Sequence, residues 1–227
     1  MLNEIIEYAC KAHQRLKFDF PYNVRDWVLN MCMMVENYHK HTTWSNIVQF
    51  DSATSIEEFI QLSDKYGCKC YFSGEHGFQG EWLHCYDICE STKNEVVRNK
   101  YSISNPVKFR YSVEAYWVKD IDEIIYEEYK DKKTGEIKTR EKKDNTNCHM
   151  VIVARNYQAI RKLNYLLSCS HTDGFYYKPR IDLKCLLSLT PSDVVVTTAC
   201  VASPMFKGEG WEETFLRPVF NHFGKND

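Results

Sequence analysis

Short apolar runs alternate with amphipathic stretches along this chain, and that alternation predicts an α/β fold with mainly parallel strands. Three observations carry the expectation. Residues 68–73, 147–154 and 193–198 are apolar runs of strand length. Helical patterns with polar N-caps sit between them, opened by Thr54 or Ser55 and by Asn156. The residue types that carry chemistry cluster at or near the predicted strand ends, where such folds gather their sites.

The elements follow in order. Residues 1–36 form an N-terminal extension. Leu2, Ile5, Ile6, Cys10 and His13 give a weak helical stripe that Pro21 breaks. Residues 27–35 are apolar and lead into a first strand, which ends at His39-Lys40-His41. A polar loop runs to Asp51. The next helix starts at Ser55-Ile56-Glu57-Glu58, with Ile56, Phe59, Ile60 and Leu62 facing inward and Gly67 ending it. The run 68–73 is a buried strand that closes on Gly74-Glu75-His76-Gly77. Residues 78–89 read as a helix with Trp82, Cys85, Tyr86 and Cys89 on one face. Residues 106–118 are strand-like, rich in Val, Phe and Tyr, with the single acid Glu114.

Residues 120–147 change character. They are dense in Lys, Asp and Glu around Thr134-Gly135, and read as a solvated hairpin or mobile insert. Beyond it come the strand holding His149, a helix to about Ser170 with Ile160, Leu163, Leu166 and Leu167 inward, and an aromatic and basic loop over 174–180. A short helix over 183–189, a strand over 193–198 and a helix over 211–223 complete the chain.

Composition narrows the function classes. A net charge of -2 gives no global basic field, which argues against a free-standing DNA-binding module. The ten cysteines include no CxxC pair, so neither a zinc ribbon nor a disulfide framework is indicated. Reduced thiols in a cytoplasmic compartment are expected. There is no signal-peptide pattern and no apolar run of membrane-spanning length.

Against that background, His39, His41, Asp51, His76, Glu114, His149 and Cys200 are all ligand types for a divalent transition metal. Imidazoles grouped around a bridging carboxylate suit metal-assisted phosphoester hydrolysis. Each residue also has an ordinary reading. The histidine pair could decorate a polar loop, Asp51 could open a turn, and Glu114 could face solvent on an edge strand. His149 could be a satisfied core histidine, and Cys200 a small buried hydrophobe. His149 falls near the start of its strand rather than the end, which is a misfit for one common rim.

The same residues, in order, resemble the PHP (polymerase and histidinol phosphatase) domain of bacterial and phage DNA polymerase III alpha subunits. His39-Lys40-His41-Thr42 resembles the family's HxH opening, and the segment from Phe50 to Glu58 its acid-bearing helix entry. Ser73-Gly74-Glu75-His76-Gly77 resembles its TDHG element and Val113-Glu114-Ala115-Tyr116 its CEAY element. Gly174-Phe175-Tyr176-Tyr177-Lys178-Pro179-Arg180-Ile181-Asp182 resembles a later block, and Thr198-Ala199-Cys200-Val201-Ala202 its cysteine element. The resemblance runs from about residue 37 to the C-terminus.

It implies a distorted (β/α) barrel of PHP type over 37–227, incomplete at the C-terminus. It implies a metal cluster of Zn, Mn or Fe, with Mg as an alternative, held by the seven candidate ligands. Glu114 would bridge and, with His76, act in catalysis. Glu75 stands where the family has aspartate, which bears on a contact behind the ligands. The family's last acid-or-amide-x-His ligand pair is absent, as is a polymerase palm. The function implied is a 3′→5′ exonuclease that proofreads for the polymerase, with the primer 3′ end as substrate. The remaining polymerase chain and other replisome subunits would be its partners. Lys178 and Arg180 would meet the nucleic-acid backbone, and Tyr176 or Tyr177 would stack on a base. The competing readings are a non-catalytic metal-binding docking domain and a stand-alone small-molecule phosphatase.

Overall fold

The computed structural model describes residues 39–47, 50, 52–207 and 210–224. Expectations for residues 1–36, including the strand entering the histidine pair, and for Asp51 lie outside these residues. His39–Thr42 has no strand pairing, and Thr43–Ile47 is a 3₁₀ turn.

Helix α1, Ile56–Lys65, begins with a capping box. Ser55 Oγ accepts from the Glu58 amide while the Glu58 carboxylate accepts from the Ser55 amide, an arrangement that contributes about 1 kcal/mol. Ile56 and Ile60 are buried, but Leu62 is on the exposed side. The chain leaves through Gly67 at φ +74°. Strand β1, Cys70–Phe72, and helix α2, Trp82–Ser91, follow. Helix α2 starts later than its pattern predicts; it buries Ile88 and leaves Tyr86 half exposed. Helix α3, Glu95–Tyr101, buries no side chain and so carries no apolar stripe by which to read it.

The run 106–118 divides at Tyr111 into β2, Lys108–Arg110, and β3, Ser112–Trp117. All six residues of β3 are buried. The charged segment forms an antiparallel hairpin of β4, Ile124–Lys130, and β5, Ile137–Lys143. Next come β6, Cys148–Ala154, and α4, Tyr157–His171, capped by Asn156. Residues 174–180 are not a loop: β7, Phe175–Tyr176, turns through Tyr177 at φ +60° into β8, Lys178–Ile181. The last elements are α5, Leu183–Leu187, β9, Val194–Thr198, α6, Pro204–Lys207, and a π-helical turn, Glu212–Leu216, that runs into α7, Arg217–Phe223.

The main sheet has the order β7-β8-β3-β6-β9. Here the expectation of mainly parallel strands fails. Only β3–β8 is parallel; β3–β6, β6–β9 and β7–β8 are antiparallel. The cause is the link between β3 and β6. It is an exposed hairpin rather than a helix packed on the sheet, so the chain returns antiparallel. No closed barrel forms among the described residues; β1 and β2 make a separate parallel pair. A parallel bridge from His76 to Glu114 joins the segment after β1 to β3.

Two apolar clusters support the sheet. The larger joins β3, β6, α4, α5 and α7 through Val113, Met150, Leu163, Leu186 and Phe223. The smaller joins α1, β1 and α2 through Ile60, Tyr71 and Cys85. Phe109 packs on both. No helix among the described residues is long and apolar enough to cross a membrane.

Candidate metal centre

Glu114 is the hub. It sits in the fully buried β3 with no exposed surface, and four imidazoles approach its two oxygens. His76 Nδ1 lies 2.7 Å from Oε2, and His149 Nδ1 lies 2.8 Å from Oε1. His39 Nε2 is 3.4 Å from Oε1, and His41 Nε2 is 3.5 Å from Oε2. The two Nε2 atoms of His39 and His41 are 2.9 Å apart. Burial pushes the Glu114 carboxyl upward, but hydrogen bonds from His149, His39 and His76 outweigh it and hold the group well below the usual carboxylate range.

Local sequence builds this convergence. His149 is the second residue of β6 and pairs with Tyr116 near the end of β3. Because β6 is antiparallel to β3, its start lies at the same rim as the end of β3. That removes the misfit seen in the sequence. Strand β9 is antiparallel to β6 and delivers Cys200 to the same rim.

His39 and His41 are brought in by a close backbone approach. A Cβ on Gly74 would lie 2.8 Å from the Lys40 carbonyl oxygen and 3.2 Å from the His39 ring, so only glycine admits the pair at this depth. Gly77, at φ +69°, holds the far side of His76; a Cβ there would meet Pro179 at 2.8 Å. Its amide donates to the Glu114 carbonyl, and its carbonyl oxygen lies 2.9 Å from His171 Nε2.

Behind the imidazoles lies a buried polar layer. His41 Nδ1 is 2.9 Å from Ser45 Oγ, and Ser45 Oγ donates to Glu75 Oε2. Glu75 Oε1 accepts from the Thr42 amide at 3.0 Å and from Thr42 Oγ1 at 2.5 Å. Burial holds the Glu75 carboxyl above its usual range, and these hydrogen bonds oppose that shift without cancelling it. Tyr116 stacks parallel to His76 and meets His149 edge-on. Lys178 Nζ lies 4.5 Å from the centre of the Tyr116 ring and donates to its hydroxyl at 3.0 Å.

The donor chemistry fits a transition metal. Two three-residue groups, His39 with His41 and Glu114, and His76 with Glu114 and His149, each bring their ligand atoms within 4.8 Å of one another. Both groups share Glu114, and each of its oxygens faces one imidazole from each group.

The profile of the PHP domain family matches residues 37–215. The chain belongs to the PHP domain family. DNA polymerase III subunit alpha of Aquifex aeolicus (strain VF5) is 28% identical to it over 170 residues, covering 72% of this chain and 12% of the relative. The subunit of the same description from Chlamydia trachomatis serovar D is 24% identical over 164 residues, covering 72% of this chain and 11% of the relative. That of Chlamydia pneumoniae is 36% identical over 66 residues, covering 29% and 5%. The chain therefore spans no more than 12% of the length of these relatives.

In this PHP domain five of the seven residues read as ligands from sequence come together: His39, His41, His76, Glu114 and His149. Cys200 joins neither group. Its Sγ lies 3.6 Å from His149 Nδ1 and accepts from the Ala202 amide, on an exposed loop. Asp51 is outside the described residues.

The residues assigned to nucleic acid separate. Arg180 is 1% exposed. Its guanidinium donates to the carbonyls of Gly174, Asp144 and Ile121, clamping both legs of the β4–β5 hairpin. Those bonds and its burial take it away from a phosphate-binding role. Tyr176 packs beneath Arg180 at 5.4 Å. Tyr177 is exposed at the tip of the β7–β8 turn, and Lys178 stands beside the imidazoles through Tyr116. Thr42 and Tyr116 lie inside the segments that resemble HxH and CEAY but were given no role there, and Ser45 lies in no motif.

Proposed function

We propose that this PHP domain is a metal-dependent phosphoesterase and, within a polymerase III alpha-type protein, a 3′→5′ exonuclease acting on the primer end. One observation carries the reading: four imidazoles from three separate stretches of chain meet the two oxygens of one buried carboxylate. Imidazole nitrogens gathered around one buried carboxylate are the donor types of a transition-metal ligand set.

His39 and His41 would hold one ion and His76 and His149 the other, with Glu114 between them. A bound divalent ion would supply Lewis acidity, lowering the pKa of water and offsetting phosphate charge. The chain's own residues do the rest. Glu114, kept ionised by its imidazoles, retains its negative charge at neutral pH. Tyr116 packs against His76 and His149 and limits their rotation. Lys178 presents a cation beside the centre for a phosphate oxygen, and exposed Tyr177 offers a face on which a terminal base stacks. The domain itself is assigned to 37–227, after an extension over 1–36.

The test uses the full polymerase chain that carries this domain, a 3′-labelled single-stranded DNA, and Mn²⁺ or Zn²⁺. Stepwise loss of 3′ nucleotides is expected. His39→Ala combined with His41→Ala should abolish it while polymerisation stays measurable. Unchanged degradation in that variant would overturn the assignment. Metal binding without any degradation by the parent protein would instead favour the docking role.

A further inference from the structure

We propose that Ser45 and Glu75 are positioning residues that fix the proton of His41 on Nδ1, leaving its Nε2 lone pair aimed at the centre. In its consequence for metal binding the proposal rests on the function proposed above. The tautomer itself follows from hydrogen-bond accounting in this chain alone.

Ser45 is fully buried in the 3₁₀ turn Thr43–Ile47. A serine hydroxyl has one proton to give and lone pairs to receive with. Its neighbours are Glu75 Oε2 on one side and His41 Nδ1 on the other. Glu75 is fully buried, and its other oxygen already takes the Thr42 amide and the Thr42 hydroxyl. The Thr42 hydroxyl accepts the Trp44 amide at 3.1 Å on its oxygen and gives its proton to Glu75. Every group around Glu75 therefore donates to it, as a carboxylate requires.

Ser45 gives its single proton to Glu75 and can only accept from His41. The proton of neutral His41 then sits on Nδ1, and Nε2 is bare. That is the nitrogen lying 2.9 Å from His39 Nε2 and 3.5 Å from Glu114. A ligand histidine has its tautomer set by the hydrogen bond of its other nitrogen. Here the setting group is a hydroxyl, and the buried carboxylate behind it decides which way the hydroxyl points. This also gives Glu75 a role that a shorter acid would fill only by moving: it reaches Thr42 with one oxygen and Ser45 with the other.

The test is the long-range ¹H–¹⁵N spectrum of the histidine-labelled, metal-free chain, recorded above the imidazole titration range. The His41 signals are identified by their loss in His41→Gln. The wild-type chain should show His41 protonated at Nδ1. Glu75→Gln places an amide against Ser45 that can donate to it. Ser45 then turns its proton to His41, and the tautomer should move to Nε2–H. Ser45→Thr should keep the wild-type pattern.

Mn²⁺ or Zn²⁺ titration of the same chains should show affinity about 10- to 100-fold weaker in Glu75→Gln and near wild type in Ser45→Thr. His41 protonated at Nε2 in the wild-type chain would overturn the proposal, and that reading needs no variant to fold. So would an Nδ1–H tautomer unchanged in a folded Glu75→Gln chain. If the tautomers behave as stated but no metal binds, the metal-centre reading fails and this one stands. If metal binds and the tautomers disagree, the reverse holds.

Discussion

The rim around Glu114 and the β4–β5 hairpin are both rich in ionisable groups, yet they use them in opposite ways. At the rim, charge is buried and drawn from distant parts of the sequence: His39, His76, Glu114 and His149 meet only because β3, β6 and the segment after β1 pair. In the hairpin, charge is local and solvated. Glu127 meets Arg140 and Lys142 across the two strands, and Lys138 meets Asp131, all near water. Burial makes each rim interaction consequential and costly to disturb, while exposure makes the hairpin pairs nearly interchangeable with solvent. The base of the hairpin is held by buried Arg180, which donates to the Asp144 and Ile121 carbonyls.

That contrast can be broken at several points. The largest effect is expected at the anchor. Arg180→Ala removes three hydrogen bonds, one buried and two part-buried, and should lower the unfolding free energy by about 3 kcal/mol. Arg180→Lys should recover little, because the three carbonyls are met by three different guanidinium nitrogens and a lysine has only one. Denaturant titration measures both. In the wild-type chain the amides of β4 and β5 should exchange faster than those of β3 and β6. Equal protection would contradict the view of the hairpin as an appendage.

An intermediate effect is expected beneath the rim. Glu81 is fully buried beside Ser73, whose hydroxyl donates to it, and burial pushes its carboxyl up to about 8. The folded chain then holds that proton up to about pH 8, whereas the unfolded chain releases it near 4.5. The folded state binds more protons in this window, so the Glu81 contribution to stability falls as pH rises across it. Glu81→Gln should flatten that decline between pH 5 and about pH 8 in melting curves. Glu114 works in the other direction. Its carboxyl is held low, so its contribution is present above the usual carboxylate range and is lost on acidification.

The smallest effect belongs to the exposed hairpin. Glu127→Gln breaks its links to Arg140 and Lys142 and should leave the melting midpoint unchanged, since exposed pairs add little. A clear shift there would mean that the hairpin is coupled to the core.

The strands and most helices were legible because their signals are local. Ser55 with Glu58, Asn156, and the apolar runs of β6 and β9 announce themselves over a few residues. The five convergent candidate residues were legible as an ordered set of motifs, with HxH uninformative alone. Strand direction was not legible. It depends on whether the link from β3 to β6 packs a helix on the sheet, and a charged hairpin gives no sign of that by itself. The fate of Arg180 was hidden for a related reason. Residues two apart on a strand share a face, so Lys178 and Arg180 look like one basic patch in sequence. In the fold one stands by the imidazoles and the other is buried under the hairpin. In the layer of Thr42, Ser45 and Glu75, only Glu75 was marked in sequence, as standing where aspartate is usual; its partners Thr42 and Ser45 were not.

The central claim is that Glu114 and its four imidazoles are one metal centre built from two sets that share a carboxylate. Calorimetric titration of the metal-free chain with Mn²⁺ or Zn²⁺ tests it most directly, with wild type, His39→Ala/His41→Ala and Glu114→Ala compared after each is shown to be folded. Saturable binding is expected in the wild type. The histidine variant should lose the part held by one set, and Glu114→Ala should lose both. Binding that survives Glu114→Ala undiminished, or a wild-type chain that takes up no metal, would contradict the account.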